Sequence, residues 1–212
     1  IPVDGKALNA MISRHVHQAI EEVRDLRQKI LEGQRFRGYS GRARAVSGTL
    51  ALAAACVLST PWVAQTEKAH AIGWGICFVL ACLVNYGALL YWFLFDPEAK
   101  RDVRRLGPTT DALPPFFVGG MLTWALIEVG QFNLLFGVWM CLFGVANLAT
   151  RRALPKANRP LGWAYIFAGT FFLINPATTF TNPWPMGLVF FIGEWTGGII
   201  LHYGRVPKPS LA

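Results

Sequence analysis

The chain has 212 residues, 53% of them hydrophobic and only 15% charged, with a formal net charge of +8. A soluble domain carries about 25% charged residues, so this composition excludes an ordinary soluble domain, and its apolar content excludes disorder. Four cysteines are too few for a disulfide scaffold, which leaves an integral membrane protein as the class to expect.

The N-terminal segment carries the clearest periodicity outside the apolar runs. Ile12, Val16, Ala19, Val23, Leu26 and Ile30 recur at alternating steps of four and three, a heptad seam. Its β-branched a positions are Val16, Val23 and Ile30, and Glu22 at g can pair with Arg27 at the following e of a parallel partner. The spacing predicts an amphipathic helix over about residues 6–32, ending at Gly33. Three placements of its apolar face stay open: against a second copy as a coiled coil, against the membrane domain or a partner protein, or on the lipid surface. The linker that follows, Arg35-Phe-Arg-Gly-Tyr-Ser-Gly-Arg-Ala-Arg, is rich in Arg and aromatics. Arg35, Arg37, Arg42 and Arg44 are therefore expected at anionic headgroups, with Phe36 and Tyr39 anchored at the interface. Residues 1–46 form a cytoplasmic region in this reading. They lack the early apolar core of a cleavable signal peptide.

Six apolar runs follow, over residues 47–66, 70–95, about 115–130, about 133–150, about 161–177 and about 184–203. A helical span needs about 20 apolar residues, and the absence of period-2 alternation excludes strands. The expected fold is all-α: six transmembrane helices arranged as three hairpins over residues 47–204, with a short cytoplasmic tail at 205–212. Nineteen of the 20 Lys and Arg residues fall before the first span, in the 96–114 and 151–160 loops, or after the last span, and only Lys68 falls in the other set of loops. By the positive-inside rule both termini are expected to be cytoplasmic. The charge is thereby assigned to headgroups, which removes the case for a nucleic-acid partner. The odd-numbered spans are weakly alike at Gly48-Thr-Leu-Ala-Leu-Ala, Gly120-Met-Leu-Thr-Trp-Ala and Gly169-Thr-Phe-Phe-Leu-Ile. This is either a triplicated hairpin or ordinary small-residue packing.

Intramembrane ionisable groups are costly and often functional, and there are two acids. Glu194 lies near the middle of the sixth run, with no Lys or Arg expected at its depth, so it should be protonated, hydrogen-bonded to a group such as Asn85, or facing water. Glu128 lies at the outer end of the third run, within reach of water. Glu194, Glu128 and Asn85 make the candidate polar site. His15 and His17 precede the first run, His70 is at the outer boundary and His202 at the inner end, so no two histidines share the depth that a haem needs. Cys56, Cys77, Cys82 and Cys141 read as packing residues, with no CxxC. No nucleotide-binding, hydrolase or metalloprotease motif occurs, so neither an enzyme nor a cofactor is expected. Gly193, Gly197 and Gly198 give the last run a face suited to close helix contact.

The segment Val23-Arg-Asp-Leu-Arg-Gln-Lys-Ile, followed by Phe36, a Gly-containing turn and a Gly-bearing first span, resembles a family of small bacterial six-span membrane proteins encoded beside winged-helix regulators. The resemblance covers residues 20–60 by motif and implies no activity and no site residue. The three-hairpin plan is similar in architecture to the HdeD membrane family. Two functions remain: a non-enzymatic scaffold, accessory subunit or sensor acting through helix–helix contacts, with lipids and a second copy or a protein as partners; or a small proton- or cation-linked transporter or channel built on Glu194.

Overall fold

The computed structural model describes residues 15–17, 19–24, 38–96, 107–175 and 179–204. It divides into two compact units, residues 1–35 and residues 36–212. In the first unit, residues 15–17 and 19–24 are helical, with Val16, Ala19 and Val23 exposed. Ile12, Leu26 and Ile30 of the predicted seam lie outside the described residues, as do Arg35 and Arg37 of the linker.

The second unit is all-helical over its described residues. Its long helices are α1 (Gly41–Leu58), α2 (Glu67–Phe95), α3 (Leu113–Glu128), α4 (Leu135–Ala149), α5 (Arg159–Ile174) and α6 (Trp184–Tyr203), with a single helical turn at Gly107–Thr110 before α3. Local chemistry sets the boundaries. The hydroxyls of Ser40 and Thr66 accept from Ala43 N–H and Ala69 N–H, each at 3.3 Å, and cap α1 and α2. Glu67 adds a negative charge at the positive end of α2. Helices α3, α5 and α6 begin with proline in the first turn, where no N–H is needed. Between α3 and α4 the chain reverses at Gly130, whose φ of 71° is the left-handed region that favours glycine.

Four helical segments are long and apolar enough to cross a membrane: Gly41–Leu58, Glu67–Phe95, Phe132–Ala149 and Trp184–Tyr203. Leu113–Glu128 is apolar but has 16 residues, and Arg159–Ile174 also has 16, giving each a length of about 24 Å. The largest departure from the predicted runs is α1. It starts at Gly41 rather than Ser47 and ends at Leu58 rather than near residue 66, because Ser40 supplies the cap and the chain turns at Ser59–Pro61. Arg42 and Arg44, expected in a linker, are therefore in the first turn of α1.

Helix packing follows the glycines. Helix α1 runs antiparallel to α6: Gly41 meets Gly198, Gly48 meets Glu194, and Ala55 meets Gly187. A Cβ on Gly41 would stand 2.5 Å from the Gly198 carbonyl oxygen. Helix α4 lies antiparallel to α5 in the same manner, and a Cβ on Gly144 would stand 2.6 Å from the Gly162 carbonyl oxygen. These two pairings are the most extensive in the bundle, and each joins different predicted hairpins rather than the two arms of one. Of the three glycines in the proposed repeat, Gly48 and Gly169 sit in tight crossings while Gly120 has open space around it. The apolar core gathers Leu58, Trp74, Phe132, Phe136, Met140, Phe180 and Met186. Phe180, from the segment before α6, is inserted among the rings of Phe132, Phe136 and Trp139, and its N–H donates to Asn133 Oδ1 at 2.8 Å.

Candidate functional site

Glu194 is buried in α6 against Gly48, one helical turn along from the first turn of α1. From that turn Arg44, itself only 8% exposed, lays its guanidinium along the carboxylate. Nε lies 3.1 Å from Oε1 and 3.0 Å from Oε2, and Nη2 lies 2.9 Å from Oε1. This side-on, charge-assisted arrangement uses the planar fork that distinguishes Arg from Lys.

Neutral polar groups complete the shell. Arg44 Nη1 donates to Asn158 Oδ1 at 3.1 Å, and Nη2 donates to Asn147 Oδ1 at 2.9 Å. Asn158 Nδ2 donates to the same Asn147 oxygen at 3.2 Å, while Asn147 Nδ2 donates to the Phe143 carbonyl at 2.9 Å. Tyr165, 2% exposed, donates its hydroxyl to Glu194 Oε1 at 3.1 Å. Every group that meets the carboxylate is a donor. The site thus joins α1, α4, α5 and α6 with the turn before α5.

Glycine makes the room for it. A Cβ on Gly197 would stand 2.5 Å from the Arg44 Cζ, and one on Gly193 would collide with the Tyr165 hydroxyl. The glycines flanking Glu194 at i−1 and i+3 thus admit its two main partners.

The sequence reading is corrected at two points. Glu194 does not lack a cation at its depth, because Arg44 pairs with it. Arg44 is not a headgroup contact: five hydrogen bonds and the space over Gly197 turn its side chain into the bundle instead of letting it snorkel outward. Arg42, one turn face away, is exposed.

The other candidates do not join this centre. Asn85 donates to Ser47 Oγ at 2.6 Å and to the Ala81 carbonyl at 2.9 Å, tying α2 to α1 beside the ion pair rather than binding Glu194. Glu128 is exposed at the end of α3 and accepts from Trp124 Nε1 at 3.2 Å. Asn147, Asn158 and Tyr165 were missed by sequence reasoning. The available signal was the pair of glycines beside the acid, which marks a place where bulky groups approach α6.

Among the described residues no cluster of His, Cys, Asp or Glu could hold a metal ion. Chemically the site is a neutral, hydrogen-bonded ion pair with no nucleophile–base arrangement. Outside the helices, burial pushes the Tyr39 hydroxyl up to about 12. No known protein family, curated protein or solved structure matches the chain.

Proposed function

We infer that this is a non-enzymatic integral membrane protein acting as a scaffold, accessory subunit or sensor through helix–helix contacts. The observation that carries the reading is the enclosure of Arg44 and Glu194, at 8% and 5% exposed, by Asn147, Asn158 and Tyr165. Transport through an acid requires water or a mobile ion to reach it. Here a fixed guanidinium and a tyrosine hydroxyl occupy the carboxylate, which favours a structural tie over a relay.

In this reading α3 and α5 complete the bundle as the third and fifth of six spans, in three hairpins, with both termini cytoplasmic in a bacterial inner membrane. The support is the basic asymmetry, in which only Lys68 of the 20 Lys and Arg falls in the loops assigned to the outside, together with four helices of spanning length. Contacts with partners fall to the parts that the ion pair leaves free. Helix α3 has no buried residue, and the exposed Val16 and Val23 lie on the heptad seam, which suits pairing with a second copy or a partner helix.

Liposomes containing the purified protein test the reading. The expected result is no proton or cation flux under a pH gradient. Flux in the wild type that disappears in Glu194→Gln would establish the transporter reading instead.

A further inference from the structure

His70 is completely buried at the start of α2, and its Nδ1 lies 3.1 Å from the carbonyl oxygen of Thr66. A carbonyl can only accept, so Nδ1 carries a proton, and in the neutral imidazole Nε2 presents a lone pair. That Nε2 is buried and has no hydrogen-bond partner. One turn along the same face is Trp74, 4% exposed, whose indole Nε1 is also buried without a partner. An indole N–H can only donate. Two orphaned polar atoms of opposite character therefore lie on one face of one helix, beside the apolar core. Buried polar groups are satisfied in more than about nine cases in ten, by protein or by ordered water.

We propose that His70 Nε2 and Trp74 Nε1 together bind one water molecule, which donates to the imidazole and accepts from the indole. Residues four apart on a helix have Cβ atoms about 5–6 Å apart. Both side chains therefore leave neighbouring points of one helix face. The chemistry requires a small molecule that is donor and acceptor at once, and water fits best where the surroundings are filled. Trp74 packs edge-on against Phe136 at 5.9 Å between centroids, and Phe136 stacks at 4.8 Å on Phe180.

Solid-state NMR of the full chain in lipid, with labelled His and Trp, tests the proposal without any substitution. His70 should show an unprotonated Nε2, and Trp74 Hε1 should cross-relax with a signal at the water frequency rather than at a lipid or detergent resonance. A proton on Nε2, or an indole proton without water contact, would overturn it. Trp74→Phe adds a second arm: loss of the donor should shift the His70 Nε2 resonance. An unmoved resonance in the folded variant would refute a shared water.

Discussion

At Gly197 the missing Cβ is what admits the Arg44 guanidinium, and the consequence is measurable. Gly197→Ala should push the guanidinium off the carboxylate and lower stability in detergent by about 1–3 kcal/mol, the usual penalty for overpacking. Gly120→Ala, at a glycine with open space, should cost well under that. Tyr165→Phe keeps the ring but deletes the donor to Glu194 Oε1, so a loss of about 2 kcal/mol is expected for a hydrogen bond to a charged group. Thermal unfolding of the three variants side by side distinguishes these effects. Tyr39 supplies a pH prediction. Its hydroxyl is pushed from 10.0 up to about 12, so the folded state favours the protonated phenol. The resulting stability is fully present below pH 10.0 and is lost as pH climbs through about 12. Tyr39→Phe should abolish that part of the alkaline loss; equal alkaline slopes for wild type and variant would contradict it.

At the level of helices, the bundle is held by two close antiparallel crossings, α1 on α6 and α4 on α5. Lipid is as apolar as the side chains, so association within a membrane rests on close packing and polar contacts rather than on hydrophobic burial. Gly198→Leu and Gly144→Leu should each separate a crossing and shift unfolding to lower temperature, whereas Gly87→Leu, on a face with nothing within 4 Å, should leave it unchanged. The sequence was readable where apolar runs are uninterrupted. The run predicted at 184–203 is α6, and that at 70–95 lies within α2 (Glu67–Phe95). The start of α1 was unreadable because hydropathy discounts Gly41-Arg-Ala-Arg, although Ser40 caps it and Arg44 is paired. The pairing itself joins residues 150 apart, and no local pattern announces such a contact. Glu194 was visible as an exceptional residue, but its partner looked like one more member of a basic linker.

For the molecule as a whole, orientation and association are the remaining variables. Single-cysteine labelling should find positions Lys68 and Thr181 external and the loops holding Arg104 and Lys156 internal; an external Arg152 loop would reject the topology. Val23→Asp, at the seam position exposed by 64%, should place a charge in any apolar interhelical contact. Loss of the detergent-purified oligomer by light scattering would assign the seam to a second copy, and an unchanged mass would exclude that partner. The central claim is that Arg44 and Glu194 are a mutually dependent tie between the first and last helices of the bundle. A double-mutant cycle in denaturant or heat tests it most directly. Arg44→Met and Glu194→Met should each cost about 3 kcal/mol by stranding a buried charge, while the double variant should lose less than either single one; losses that simply add would contradict the account.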